Sequence, residues 1–401
     1  MAWTLEKVPF AIQGIALGNA GLAGLFVLLG NVYHRDDEYI FAVYVFALIS
    51  IFFTVLYLGK VVCHPTAFKV DAAAANTAFT FGGMAINLSL LASFLDRPQL
   101  GLPNGSGLVA VSFAAVFQLV QEGWFLYICY KTKSGPQPYW NAAVMSVAIT
   151  TITGESAGMP EWIRHTAWFI GVATMALTLP FQLYSVFKHH RIFGGTGNAD
   201  DIPKLNNHPS VAIMQATLSI LCSGWHVSPI RALTVTMQDT VGDVLFRAAM
   251  VVFLLTMIAL IVRRKAIYIA ITTQNPALST ITFPFGITAA AGVFHFDRVR
   301  GDVMEVVVWI LFGLCSTLVI SVTLMYFKLI LFGDMLRVPD VELEGGASEK
   351  KSKIDALPEV SEMKPGLLLD EAGPYVYVTA RNEFISALQC TIPAPQCCSA
   401  V

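Results

Sequence analysis

Charged side chains are scarce in this chain. Only 13% of its 401 residues are Asp, Glu, Lys or Arg, whereas 55% are hydrophobic. Soluble domains carry about 25% charged residues, and a surface built from so few charges could not keep a folded chain of this length in water. The net charge of −2 also provides no long-range attraction to a nucleic acid. These shortages exclude a soluble enzyme, a nucleic-acid-binding protein and a disordered chain.

The sequence also lacks a metal-binding or disulfide pattern. The seven cysteines include no Cys-x-x-Cys pair, and the eight histidines are scattered, with only His189 and His190 adjacent. A metal site or an acid–base catalyst needs clustered His, Cys or carboxylate side chains. We therefore expect no metal, no cofactor and no enzymatic activity.

Long hydrophobic stretches are abundant. A helix needs about 20 apolar residues to cross a bilayer. Ten stretches are candidate spans: residues 8–29, 39–58, 72–95, 108–130, 140–157, 163–187, 209–227, 240–262, 266–294 and 303–331. We predict an all-α integral membrane protein in which residues 1–332 form the membrane domain. The polar residues 333–401 are expected to form a cytoplasmic tail that is largely disordered.

Basic residues in the loops predict the orientation. One side of the predicted topology carries ten of them: Lys60, Lys69, Lys131, Lys133, Lys188, Arg191, Lys204, Arg263, Arg264 and Lys265. The other side carries six: Arg35, Arg97, Arg164, Arg231, Arg298 and Arg300. Cytoplasmic loops are enriched in Lys and Arg. We therefore predict that both termini are cytoplasmic, and we expect the plasma membrane as the location.

Prolines recur at the start of every second predicted span. They are Pro9, Pro65, Pro138, Pro209 and Pro276, separated by about two membrane passes each. Proline at the first helical position loses no hydrogen bond. The spacing predicts five helical hairpins, although a general preference of proline for helix starts would produce prolines at these positions as well.

Glycine and proline also fall inside the odd-numbered spans more often than inside the even-numbered ones. They include Gly82, Gly154, Gly224, Pro284 and Gly286. Breaks in a membrane helix are tolerated only where the freed backbone groups face protein or a water-filled cavity. We therefore predict that the odd-numbered helices surround a central pore and kink at these positions. Close packing of helices on small residues is the alternative.

Phe283 directly precedes the expected kink at Pro284, near the middle of the membrane. Proline at this position removes a helical hydrogen bond. A bulky ring at a kink can close a narrow pore by filling and dewetting it. The alternative is an ordinary packing role for one of 27 phenylalanines.

The ninth span resembles that of a known family. Thr282-Phe283-Pro284, followed by Thr288-Ala289-Ala290, resembles the ninth helix of the tellurite-resistance/dicarboxylate transporter family. The Gly-rich first span and the seventh span, which His208-Pro209 opens, are similar to the family's first and seventh helices. The resemblance covers about residues 9–331.

This resemblance implies a function and an assembly. It implies transport of small anions, inorganic or carboxylate, through a pore lined by the odd-numbered helices. Phe283 would be the pore gate, and the assembly would be a homotrimer of separately conducting subunits. The family includes TehA-type and plant slow anion channels, fungal malate permeases and fungal sulfite pumps. A proton-coupled carrier of malate or another organic anion, or a sulfite carrier, therefore stays as the alternative.

Two ionisable residues at or near membrane depth are candidate functional groups. Glu122 lies on an even-numbered span, where proton or substrate coupling competes with a trimer contact or a polar pocket. His226 ends the seventh span, where a place at the pore mouth competes with a place at the membrane interface. No Lys or Arg lies at the middle of an odd-numbered span. An anion would therefore depend on helix ends, backbone donors and pore width.

Overall fold

A computed structural model describes residues 5, 8–9, 11–73, 80–95, 102–132, 140, 143, 145–189, 212–262, 264, 267–268, 271 and 276–332. Within these residues the chain is helical and contains no strand. The predicted tail, residues 333–401, lies outside them, as do Pro138 and Pro209 of the proline series.

The α-helices follow one another with short 3₁₀ turns between some of them. In chain order they are α1 (Ile12–Tyr33), α2 (Asp36–Cys63), α3 (Pro65–Ala73), α4 (Thr80–Ala92), α5 (Ser106–Thr132), α6 (Thr150–Ser156), α7 (Glu161–His189), α8 (Ile213–Val227), α9 (Val235–Val262), α10 (Thr282–Val299) and α11 (Asp302–Leu331). The 3₁₀ turns Val147–Ile149 and Pro276–Ile281 directly precede α6 and α10.

Six of the described helical segments are long and apolar enough to cross a membrane. They are Ile12–Tyr33, Asp36–Cys63, Ser106–Lys131, Val235–Ile261, Leu278–Val299 and Asp302–Leu331. This content of long apolar helices indicates an integral membrane protein. The other four predicted spans coincide with α4, with α6 and its preceding turn, with α7 and with α8.

The six segments fall into two groups by burial. In α1, 67% of the most apolar stretch of 18 residues is buried inside the protein, and in Leu278–Val299 the corresponding share is 89%. In α2, α5, α9 and α11 it is only 22–33%. Helix α8 resembles the first group, because nearly all of its residues are buried. The fold therefore has inner and outer helices.

The inner helices contact one another in a closed order. Helix α1 packs on α4, α4 on α6, α6 on α8, α8 on α10, and α10 again on α1. Each inner helix also packs on the outer helix that follows it in the chain: α2, α5, α7, α9 and α11, respectively. The described chain is therefore built from five consecutive helix pairs with their inner members at the centre.

The inner helices run in the same direction. Where two of them pack, residues with higher numbers in one helix contact residues with higher numbers in the other. Leu17 and Gly24 of α1 lie beside Gly83 of α4 and Phe94 just after it. Ser219 and His226 of α8 lie beside Thr288 and His295 of α10. We call the end of the bundle where each inner helix turns into its outer partner the hairpin end. The opposite end is the crossover end.

Buried polar side chains tie inner helices to outer ones. Asn87 of α4 accepts a hydrogen bond from Ser50 of α2 at 2.8 Å and donates one to Thr54 of α2 at 2.8 Å. Asn19 of α1 donates to Thr323 of α11 at 2.9 Å. Buried polar groups need such partners, so these bonds fix the register of the helices they join.

The region around Pro284 differs from the kinked span expected from the sequence. Much of residues 266–275 lies outside the described chain. The α-helix begins at Thr282, so Pro284 lies in its first turn, and α10 continues to Val299. Proline in a first turn removes no helical hydrogen bond, because those N–H groups have no partner within the helix. The change from 3₁₀ turn to α-helix therefore takes the place of a kink in mid-helix.

Candidate functional site: a cavity beside Phe283

Helices α1 and α10 approach closely along a row of glycines. A Cβ at Gly14 would lie 2.6 Å from Ser279 Oγ, and one at Gly18 would lie 2.4 Å from Thr282 Oγ1. Ser279 donates to the carbonyl of Ala11 at 2.6 Å, and Thr282 Oγ1 lies 3.0 Å from the carbonyl oxygen of Gly14. A side chain at Gly14 or Gly18 would occupy the space that the Ser279 and Thr282 hydroxyl groups take. The two glycines therefore allow the start of α10 to pack directly against the backbone of α1.

Phe283 follows directly on this contact. Its side chain is buried, and its ring faces Gly21, where a Cβ would lie 3.5 Å from Phe283 Cδ2. This is an ordinary van der Waals distance. The ring therefore lies on the same glycine row of α1, one turn beyond Gly18.

A small cavity of about 50 Å³ lies beside the Phe283 ring. A water molecule needs roughly 10–15 Å³ by this measure, so the cavity has room for a few waters or one small ion. Four of the five inner helices, with the residues just before them, form most of its wall, and Met145, which precedes the turn before α6, completes it: Ala11, Gly14, Leu17, Gly83, Ile86, Met145, Ile213, Ala216, Thr217, Ile220, Ser279, Thr280, Phe283 and Pro284. The cavity therefore lies between the inner helices.

The wall of the cavity is uncharged but polarised. None of the described lining residues carries a charge. The lining residues lie at or near the N-terminal ends of inner helices that run in parallel, and a helix N-terminus carries a partial positive charge. Thr217 adds a buried hydroxyl that has no hydrogen-bond partner among the described residues. Apart from this hydroxyl, the wall is formed mostly by apolar side chains.

The structure separates the other residues that the sequence singled out. Pro284 lies in the cavity wall beside Phe283. Gly154, Gly224 and Gly286 instead lie where helices pack: their Cβ positions would meet Met159, Thr151 and Cys315, respectively. Gly82 is buried inside α4.

The four helices that contain these glycines run through them without interruption. The kinks expected at Gly82, Gly154, Gly224 and Gly286 stay predictions, because a helix can bend without a break in its assigned range. The three glycines at packing contacts allow close helix approach, as small residues do in membrane proteins.

Glu122 lies away from the cavity. It is half-buried on the outer helix α5 and is not among the described cavity-lining residues. Its Oε2 atom is buried without a hydrogen-bond partner in the described part of the chain.

His226 forms a pair that sequence reasoning missed. Its ring lies 5.4 Å from that of His295 at the hairpin ends of α8 and α10. Both rings are buried, and neither nitrogen of His226 has a hydrogen-bond partner among the described residues. His295 Nε2 lies 3.8 Å from Asp243 of α9, and Arg298 reaches Asp239 at 2.9 Å.

The sequence contains one indication of this pair, which is an equal number of residues between a contacting hydroxyl residue and the histidine in each helix. The contacting residues Ser219 and Thr288 each precede one of the histidines by seven residues. The signal becomes readable only once α8 and α10 are known to be parallel. Across the described residues, no group of three or more His, Cys, Asp and Glu could hold a metal ion.

Arg164 is a buried cation that the sequence suggested would lie in a loop. It occupies the first turn of α7 with only 8% of its surface exposed, and it forms an ion pair with Glu155 at the end of α6. This ion pair is at the hairpin end and is not part of the described cavity wall. It joins the inner helix α6 to its outer partner α7.

Comparison with known proteins adds no relative. No family model matches the chain, and a search of curated proteins gives no match. The functional argument therefore depends on the residues and the geometry described above.

Proposed function

We propose that this chain is a membrane transport protein for small anions, with a central pore closed by Phe283. The observation that carries the proposal is the position of the Phe283 ring beside a cavity walled by residues of the inner helices α1, α4, α8 and α10 and by Met145. Movement of this one side chain off Gly21 would change the width of the passage more than movement of any residue at an outer helix.

The polarity of the wall supports an anion as the substrate. Parallel inner helices direct several partial positive charges toward the cavity, and no described carboxylate lines it. Hydroxyl and backbone donors with low net charge bind an ion weakly. Weak binding allows an ion to leave again and so favours conduction.

The proposal includes the fold and assembly that the family resemblance implies. We infer ten spanning helices arranged as five hairpins, membership of the tellurite-resistance/dicarboxylate transporter family, and a homotrimer in the plasma membrane with both termini in the cytoplasm. The closed order of inner helices and the exposed apolar faces of the outer helices support this arrangement.

An ion-substitution series on purified protein in liposomes tests the function. Reversal potentials are measured with chloride, nitrate, sulfite and malate in turn, for the wild type and for Phe283→Ala. We expect anion-selective current whose size depends on the anion. Cation-selective current, or no current from folded protein of either form, would contradict the proposal.

A second candidate is a proton-coupled carrier of an organic anion or sulfite on the same fold. The observation in its favour is the buried pair His226 and His295. Both nitrogens of His226 and Nδ1 of His295 have no hydrogen-bond partner among the described residues. A carrier of this kind would lose uptake when the pH gradient is abolished and on His226→Gln or Glu122→Gln. Anion flux that survives all three changes would favour the channel.

A further inference from the structure

A long groove opens between the outer helices α2 and α5. Its volume is about 960 Å³, and its walls are almost entirely apolar. Leu48 of α2 and Val109 and Phe113 of α5 stand exposed along its rim. Its floor is formed by the inner helix α4, including Leu91. The groove therefore exposes an inner helix to the surroundings of the outer ones.

The surroundings of this groove are the bilayer, because both of its walls belong to segments long and apolar enough to cross a membrane. A groove of this kind cannot be filled favourably by water, since its walls offer almost no hydrogen-bond partners. Hydrocarbon is the material available at its mouth.

The length of the groove indicates what kind of molecule can fill it. Along α2 it extends from Val43 to Ile51, and along α5 from Ser106 to Ala114. Eight residues of helix span about 12 Å, close to the roughly 15 Å of hydrocarbon in one leaflet of a bilayer. A spanning helix of a second copy would need a groove through both leaflets. Polar Asn104 and Ser106 line it at the hairpin end, where a lipid headgroup would lie.

The groove is also connected to the contacts that hold Phe283. Phe94 lines the groove, and its Cζ atom lies 3.8 Å from the position that a Cβ would take at Gly24 of α1. Gly24 is one turn from Gly21, on which the Phe283 ring lies. A chain in the groove therefore touches a side chain that packs directly on α1.

We propose that the groove between α2 and α5 is a binding site for one acyl chain of a membrane lipid, from the leaflet at the hairpin end. The bound chain packs on α4 and Phe94, and so supports the wall of α1 against which Phe283 closes. The site depends on the chain being a membrane protein. It does not depend on which ion, if any, the protein conducts.

Photolabelling tests the site. The purified protein is reconstituted in vesicles of phosphatidylcholine that carries a diazirine on one acyl chain, and labelled residues are mapped by mass spectrometry. We expect labels on the floor residues Leu91 and Leu95 of the wild type. Ala110→Trp and Ala47→Trp fill the groove from opposite walls and should lose the labels on the floor.

Leu119→Trp is the matched control, because Leu119 is exposed on the same helix α5, on the side opposite Ala110, and does not line the groove. It should keep the labels on Leu91 and Leu95. Absence of label on the floor of the wild type would overturn the proposal, as would floor labels in both groove-filling variants equal to those of the control. Disulfide linkage of two copies through Val109→Cys would also overturn it, since it would show a second subunit in the groove.

Discussion

The aromatic side chain of Phe283 packs against the backbone of Gly21, and this contact joins α1 and α10, the first and last of the inner helices. A Cβ at Gly21 would lie 3.5 Å from the Phe283 ring, and three turns of α1 present glycine to α10 in the same way. In the proposed pore, the width of the passage at Phe283 would depend on how closely α1 and α10 approach. Mutations in this contact should change stability and conduction together.

Gly18→Ala should destabilise the protein. The added methyl group would lie 2.6 Å from Thr282 Cβ, a distance that forces α10 away from α1. Overpacking of this kind costs about 1–3 kcal/mol. Thermal unfolding of the purified protein in detergent should show a lower midpoint.

Gly313→Ala is the control for this substitution. Gly313 lies on the outer helix α11 with open space around its Cβ position. Alanine is favoured over glycine in a helix by about 0.5–1 kcal/mol, so the midpoint should stay the same or rise. Equal effects of the two substitutions would show that the approach of α1 to α10 is not tight.

Thr217→Val should reduce anion flux without destabilising the protein. The Thr217 hydroxyl lines the cavity and has no hydrogen-bond partner among the described residues, so its removal breaks no described hydrogen bond. A hydrogen bond to a charged group is worth about 1.5 kcal/mol or more, which corresponds to about tenfold in rate. Flux is measured in the Phe283→Ala background, where the passage is expected to be open.

Thr217→Ser keeps the hydroxyl and should keep most of the flux. If Thr217→Val conducts as well as Thr217→Ser, the hydroxyl does not contact the permeating anion, and the wall of the cavity is not part of the pathway.

Asn87→Ala should destabilise the packing of α4 on α2. The substitution leaves Ser50 without its acceptor and Thr54 without its donor, and both are buried. Unsatisfied buried polar groups cost about 1–3 kcal/mol. The unfolding midpoint should fall, whereas Asn104→Ala, at an exposed loop position, should leave it unchanged.

The outer helices α2, α5, α9 and α11 could be predicted from the sequence to within a few residues. Their exposed faces contact an apolar surrounding, so nearly every residue is apolar and the pattern is continuous. The fifth predicted span, which contains the inner helix α6, could not be predicted in the same way. Residues 140–157 contain a 3₁₀ turn and a helix of seven residues, and neighbours rather than hydropathy determine that shape.

The sequence indicated Phe283 but not its partner. The Gly-rich first span predicted close helix approach, yet only the fold shows that Gly14 and Gly18 receive the hydroxyl groups of Ser279 and Thr282. Tertiary contacts of this kind leave no periodic signal in either segment. The same reason explains why His226 was singled out alone, although it lies beside His295.

Phe283→Ala tests the central claim most directly, with Phe285→Ala as its matched control. Phe285 is buried two residues further along α10, but its ring packs edge-on against Phe253 of α9 and does not line the described cavity. Single-channel or liposome-flux recordings of both variants at equal protein density are compared with the wild type. We predict that Phe283→Ala raises anion conductance at least about tenfold, equivalent to removing about 1.4 kcal/mol of barrier, while Phe285→Ala leaves it near the wild-type level. Unchanged conductance in folded Phe283→Ala protein, or an equal rise in both variants, would contradict the account.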